Sequence, residues 1–464
     1  MTDLSLQTKL VSLPAHKDQH GASVPPLYQS TTFRQTSLDE DAAQAYDYTR
    51  SGNPTRTIVQ QQVARLYGVD SDQVFAVSSG MTALDVILRS LVLNSSSGGA
   101  SAPPPTVIAG DDLYGGTQRL LTFLGGRAHA RALHADTSDF DRFVAVFDAQ
   151  PRVDCVVLES PTNPICKVAD LPRLTAFVKQ RNKDCLIVVD NTMMSGLNAN
   201  PLDFQCDVVY ESATKYLNGH HDIMAGVIIT RNRALAQQVY FIVNSTGCGL
   251  SPLESWLLVR GLKTLGVRLY QQQHNAMVLA HWLESSCGFR RTPQNKALVT
   301  RYVGLRSHPQ FQLHRSFNRG PGAVLSFETG SFEHSKRLVT SKRLRIWAVT
   351  VSFGCVNSLI SMPCKMSHAA IDPKLRKQRE FPEDIVRLCC GIENIADLQH
   401  DLLAAMIDAD IVECQDNGKT IFNKLNGLRG PNTTGKGALP NIYDEFFGAH
   451  LASTESQVVR APKL

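Results

Sequence analysis

The sequence predicts an α/β protein built on a mostly parallel sheet, and three stretches carry that reading. Leu186-Ile187-Val188-Val189 is a continuous apolar run ending in Asp190-Asn191-Thr192. Cys155-Val156-Val157-Leu158 is a second such run, closed by Glu159. Val74-Phe75-Ala76-Val77 is a third, and Ser78-Ser79-Gly80 follows it. Short runs that are apolar throughout, rather than alternating, are the pattern of strands buried on both faces. Ligands in open α/β sheets collect outside the carboxyl ends of the strands. The residues that end these runs are therefore the first candidates for function.

The stretch Ser212-Ala213-Thr214-Lys215-Tyr216 follows the strand-like run Asp207-Val208-Val209-Tyr210. A lysine held against apolar neighbours loses solvation, which favours the neutral, nucleophilic amine that a Schiff base needs. Ser212 and Thr214 put two hydroxyls beside it, suited to phosphate oxygens. A strand-end lysine reaching water would fit the same five residues. Asp190 is placed to pair with a protonated ring nitrogen, or equally to cap a helix. After Gly80 and Met81, Leu84, Ile87, Leu88 and Leu91 recur at helical spacing over 82–93. A glycine at a helix start lets backbone N–H groups close on an anion, with the helix dipole in support.

The ordered set goes further than any single motif. Tyr48-Thr49-Arg50-Ser51-Gly52-Asn53-Pro54-Thr55, Ser79-Gly80-Met81, Asp112-Leu113-Tyr114-Gly115-Gly116, Glu159-Ser160-Pro161-Thr162-Asn163-Pro164, Val189-Asp190-Asn191 and Ser212-Ala213-Thr214-Lys215 come first. Val351-Ser352-Phe353-Gly354, Ser358-Leu359-Ile360, Val386-Arg387-Leu388 and Gly391-Ile392-Glu393 follow. In this order, over roughly residues 20 to 410, they resemble the pyridoxal-phosphate enzymes of cysteine and methionine metabolism, the cystathionine synthase and lyase family.

The resemblance implies the type I pyridoxal-phosphate fold: a large domain with a mostly parallel seven-stranded sheet flanked by helices, and a smaller α+β C-terminal domain. It implies pyridoxal 5′-phosphate as cofactor, with Lys215 holding it and moving protons. Tyr114 would stack on the ring and take part in proton handling. Gly80, Met81, Ser212 and Thr214 would serve the phosphate, Asp190 the ring nitrogen, and Asn163 the ring oxygen or the substrate carboxylate. Arg387, assisted by Ser352, would hold the substrate carboxylate. Tyr48 and Arg50 would reach the phosphate of a neighbouring subunit in a homotetramer built as a dimer of dimers. Within the family, γ-specific members commonly carry glutamate where this chain has Val351. The expected reaction is therefore β-elimination of L-cystathionine to homocysteine, pyruvate and ammonia, as a carbon–sulfur lyase of methionine biosynthesis. Synthase or lyase chemistry at Cγ is the alternative.

At 464 residues the chain exceeds what one core usually serves. The expected division is an arm at 1–60, a cofactor-binding domain at 61–262, a small domain at 263–414 and a flexible tail at 415–464. Helices are expected over 55–68, over 254–284 with a break near Gly261 and Gly266, and over 395–407. Residues 94–105, rich in Ser, Gly, Ala and Pro, read as a loop insertion.

A hydrophobic share of 43% and a charged share of 19% describe an ordinary globular protein, and a net charge of +5 is too mild to argue for nucleic acid. No apolar run approaches a membrane span. The 11 cysteines include no Cys-x-x-Cys pair, so reduced, buried thiols of an intracellular protein are expected. Adjacent His220 and His221 diverge, and no metal is expected. A cytoplasmic location is the expectation; Pro462-Lys463-Leu464 approaches a peroxisomal address and is the alternative. No Gly-x-Gly-x-x-Gly follows a strand, against a dinucleotide oxidoreductase. A cofactor-free interaction protein would not need Lys215, Asp190, Tyr114 and Arg387 together.

Overall fold

The structure is a computed structural model that describes residues 4–12, 20–35, 37, 45–95, 103–127, 129–293, 295–369 and 373–431. Most of the 94–105 insertion, most of the tail and the C-terminal tripeptide lie outside the described residues. The chain divides into two units, one of residues 1–163 and 169–268, the other of 164–168 and 269–464.

The first unit is organised on seven strands: β1 (Val74–Val77), β2 (Thr106–Gly110), β3 (Arg131–Ala135), β4 (Cys155–Glu159), β5 (Leu186–Asp190), β6 (Val208–Glu211) and β7 (Gly226–Thr230). Their order is β1-β7-β6-β5-β4-β2-β3. All pairings are parallel except those of β7, which runs antiparallel to both neighbours. Strands β2 and β4 are buried along their whole length, as their unbroken apolar runs require. The helices of this unit include α1 (Leu6–Val11), α2 (Pro54–Tyr67), α3 (Gly80–Ser95), α4 (Gly115–Gly126), α5 (Phe140–Asp148), α6 (Leu171–Arg181), α7 (Ser195–Asn198), α8 (Arg233–Thr246) and α9 (Pro252–Lys263). Local chemistry sets the ends of α2. Asn53 accepts the Thr55 N–H at 2.9 Å, Pro54 opens the first turn, and Gly68 closes it at φ +67°. Leu84 and Ile87 of α3 pack with Val107, Val157, Val188 and Ile228 in one apolar cluster.

Helix α10 (Leu265–Ser285) follows α9 after a break at Thr264, where the sequence predicts one interrupted helix. The division between units falls after Arg268, inside α10, rather than near residue 262. In the second unit, β8 (Val299–Arg301), β9 (Val324–Glu328), β10 (Ala348–Val349), β11 (Leu359–Ser361) and β12 (Ile385–Cys389) form a sheet in the order β10-β11-β12-β9-β8. It is antiparallel apart from the β10–β11 pair.

Two expectations are corrected. The described residues of 1–60, expected to form a separate arm, belong to the first unit and include α1. Leu10 of α1 is buried, and its carbonyl accepts from Gln62 Nε2 of α2 at 3.0 Å. The tail does not begin at 415, because β13 (Val412–Gln415) pairs with β14 (Thr420–Asn423). The polar residues Asp416, Asn417 and Gly418 that suggested a loose tail are the hairpin's turn, all three at positive φ. Asn423 is buried and donates to the Cys287 carbonyl at 2.7 Å.

Candidate active site

Seven of the predicted residues, Gly80, Met81, Tyr114, Asn163, Asp190, Ser212 and Lys215, lie at or just beyond the ends of strands or at helix starts of the first unit. Asp190 ends β5 and retains partial exposure. Its Oδ1 accepts the Thr192 hydroxyl at 2.5 Å and the Thr192 N–H at 2.9 Å, and Tyr210 adds a further side-chain hydrogen bond. Desolvation pushes this carboxyl above the ordinary aspartate range, while these donors and the nearby Lys215 charge oppose the shift. Thr192 also ties the two strand ends together, because its Oγ1 accepts the Ser212 N–H at 2.9 Å.

Ser212 meets the start of α3. A Cβ placed on Gly80 would lie 2.8 Å from Ser212 Cβ and 3.2 Å from its Oγ, so only glycine permits this approach. The first amides of a helix have no preceding carbonyl to bond, and the dipole adds positive potential there. A hydroxyl and a helix N-terminus thus share one place fit for an anion. Thr214 makes a local contact as well. Its Oγ1 accepts the Ala225 N–H at 2.9 Å and lies 3.3 Å from the Ala225 carbonyl. The same hydroxyl thus fastens the lysine turn to the chain entering β7.

Lys215 is half-buried within that turn. Its N–H donates to the Ser212 carbonyl at 3.0 Å and its carbonyl accepts from Gly219 N at 2.8 Å. Arg268, which sequence reasoning missed, clamps the turn from beneath. Its guanidinium is buried and donates to the carbonyls of Tyr216 at 2.9 Å, Leu217 at 3.3 Å and Gly261 at 2.7 Å. Gly219, at φ +77°, is required there, since a Cβ would sit 1.9 Å from Arg268 Nη1. The helix break at Thr264 was the available signal: a chain redirected there brings the next turn onto new partners.

Tyr114 is the N-cap of α4 and stays partly exposed, its ring lying over Gly116 beside Met81 Sδ. Asn163 is buried behind the Pro161 turn. Tyr48 and Arg50 are exposed, with the guanidinium 5.2 Å from the centre of the Tyr48 ring. Their loop is fastened by Arg56, whose buried guanidinium donates to the carbonyls of Thr49 at 2.6 Å, Arg50 at 3.2 Å and Leu250 at 3.1 Å. On the far side of β5 and β6, buried Glu211 accepts the Tyr67 hydroxyl and the Gly196 N–H, and burial pushes its carboxyl up to about 8.

In the second unit, Arg387 is buried at the middle of β12. Its Nη2 donates to the Ser352 carbonyl at 3.0 Å. Ser352 stands at φ +98°, a strained conformation for a residue with a side chain, and this turns its carbonyl to the guanidinium. Glu393, six residues on from Arg387, is engaged by Ser358, accepting its N–H at 2.7 Å and its hydroxyl at 2.8 Å. Val351 is 49% exposed, so its side chain is available to whatever approaches Ser352.

All 11 cysteines are free thiols, buried except for Cys248 and Cys414. Among the described residues no group of three or more His, Cys, Asp or Glu could hold a metal ion, and no helix is long and apolar enough to cross a membrane.

The family model described as Cys/Met metabolism PLP-dependent enzyme matches residues 7–407. The chain is 64% identical over 464 residues to a cystathionine beta-lyase of Saccharomyces cerevisiae, covering 99% of each chain. It is 49% identical over 414 residues to a cystathionine beta-lyase of Neurospora crassa, covering 89% of this chain and 84% of that one. A solved cystathionine gamma synthase from Xanthomonas oryzae pv. oryzae, in complex with cystathionine, superposes with a TM-score of 0.79 at 32% identity, covering 88% of this chain and 99% of that one.

The residues present fit the cofactor in that family description. An anion site at Ser212 and α3 suits its phosphate, Asp190 its ring nitrogen, and Lys215 its carbonyl carbon. The matched span and these relatives place the chain in the Cys/Met metabolism PLP-dependent enzyme family.

Proposed function

We propose that this chain is a carbon–sulfur lyase that cleaves L-cystathionine by β-elimination into homocysteine, pyruvate and ammonia. The observation that carries this reading is 64% identity, along essentially the whole chain, to a cystathionine beta-lyase. Val351 supports it, because a valine there can neither take a proton nor pair with the distal ammonium of cystathionine.

Bound pyridoxal phosphate supplies an electron sink for the pair that the Cα–H bond leaves behind. The chain's own residues do the rest. Ser212 and the N-terminus of α3 hold the phosphate. Asp190, supported by Thr192 and Tyr210, holds a proton on the ring nitrogen. Tyr114 faces the ring, and Asn163 offers an amide to the ring oxygen or the substrate. Arg387 takes the α-carboxylate in a bidentate fork, with Ser352 at the same end. The Lys215 amine removes the Cα proton. The Cβ–S bond then breaks, its electron pair leaves with sulfur, and the thiolate takes up a proton. One water hydrolyses the remaining three-carbon enamine to pyruvate and ammonia.

The same reading includes a homotetramer, a dimer of dimers in which Tyr48 and Arg50 serve a neighbour's phosphate. Support comes from their joint exposure on a loop pinned by Arg56, and from Tyr240 and Phe241 standing exposed on α8.

A second reading, cleavage or synthesis at Cγ, draws on the shared fold of the Xanthomonas synthase. One assay separates them. Purified protein given L-cystathionine should release pyruvate and homocysteine. Release of 2-oxobutyrate and cysteine would assign γ-cleavage and remove Val351 as a criterion. If neither product forms from cofactor-loaded protein, an activated homoserine ester with cysteine tests the synthase.

A further inference from the structure

We propose that Glu159 is a positioning residue: its single carboxylate fixes both Tyr114 and Asn163 by accepting their main-chain N–H groups. The proposal rests on the functional reading above only for the roles of those two residues.

Glu159 ends β4 and is 5% exposed. Its Oε2 accepts from Tyr114 N at 3.2 Å and its Oε1 from Asn163 N at 3.0 Å. The two donors come from different connections. Tyr114 lies between β2 and α4, Asn163 between β4 and α6. One side chain therefore spans two loops and sets their separation at the end of the sheet. Each of its oxygens has a separate donor, which a carboxylate serves well. A glutamine would present one oxygen, and its NH2 group would face the other N–H.

The group is costly where it stands. Glu159 is in register with Asp190 on the neighbouring strand. Burial, then the charges of Asp190 and Asp112, push its carboxyl well above the ordinary glutamate range, against the pull of the two N–H donors. A strand end needing only packing would be filled better by an apolar side chain. Tyr114 gains from the anchor, because its ring is 43% exposed and the main-chain bond helps fix where it stands.

The test compares wild type with Glu159→Gln, both loaded with pyridoxal phosphate. Three quantities are read: cofactor content, the visible circular dichroism of the bound ring without substrate, and kcat and KM for L-cystathionine. Expected are equal cofactor content, a ring dichroism band reduced at least about twofold, and kcat/KM lower by about 10- to 100-fold, the worth of one charge-assisted hydrogen bond in rate. Dichroism and kcat/KM both within about twofold of wild type would overturn the proposal. If Glu159→Gln does not fold, Glu159→Asp keeps the charge and retracts both oxygens by one methylene. It should show the same losses, and wild-type behaviour there overturns the proposal equally. Should wild type bind cofactor yet release no pyruvate, the elimination reading fails, and the dichroism comparison alone decides Glu159.

Discussion

Among the residues proposed to act, the first unit supplies carboxylates and the second a guanidinium. In the first, the edge of the large sheet encloses acids: Glu159, Asp190 and Glu211, each raised above its ordinary range chiefly by burial. In the second, the counterpart is the buried Arg387, and desolvation also lowers two histidines, His308 and His314, to about 4. The difference follows the charge each unit is proposed to meet, a cationic ring and amine in one and a carboxylate in the other. Glu211 and the two histidines respond to pH in opposite senses. The native state retains the Glu211 proton where the unfolded chain has lost it, so that contribution is intact below the ordinary 4.5 and disappears as pH rises toward about 8. The histidines are neutral in the native state, so theirs is intact above the ordinary 6.5 and disappears as pH falls toward about 4.

The comparison breaks most sharply at the lysine. Lys215→Ala should cut pyruvate release by at least about 1000-fold. The turn itself should survive, since main-chain bonds and Arg268 hold it, and the melting temperature should stay within a few degrees. Loss of fold in this variant would show that the side chain, not the clamp, builds the turn.

The matching cut in the second unit is smaller. Arg387→Lys keeps the charge and loses the fork, and kcat/KM should fall by about 100-fold, mostly through KM. Cofactor content should be unchanged, because the residues proposed to hold the ring and its phosphate belong to the first unit. Cofactor loss measured by absorbance would contradict the division of labour.

Stability against pH sharpens the comparison further. Glu211→Gln keeps an acceptor for Tyr67 and removes the titration. Relative to wild type, its melting temperature should gain as pH rises from about 5 to 9, corresponding to a few kcal/mol at the alkaline end. A constant difference across that range would mean that Glu211 does not titrate between the two states.

The smallest effect belongs to His314, which bonds the Gly320 carbonyl at 3.0 Å and Asn318 at 3.0 Å. His314→Gln should lower stability at neutral pH by about 1 kcal/mol through those bonds. It should also flatten the loss of stability between pH 6.5 and 4, as read by denaturant midpoints. An unchanged acid limb would exclude His314 as its source.

What was legible in the sequence is what local chemistry decides. The unbroken apolar runs at 155–158 and 186–189 have the pattern of buried strands, and an acid follows each. Asn53-Pro54 and Gly68 bound α2 by side-chain capping and a positive φ, both readable from residue type. Asp190, Gly80 and Lys215 stood out for the same reason, since each lies at or just beyond the edge of a strand-like or helical segment. The turn at 416–418 was misread because its composition is the same in a tail and in a hairpin, and only pairing with 412–415 tells them apart.

The tertiary structure decided where polar side chains point. Thr214 accepts from Ala225, Thr192 joins two strand ends, and Arg268 reaches the lysine turn from a helix some fifty residues on. Glu159 gathers two loops that share no sequence proximity to each other. Spacing along the chain determines burial and secondary structure through local sterics and periodicity. A hydrogen-bond partner is determined by which distant donor the folded backbone brings within 3 Å, and one strand read alone carries no record of that.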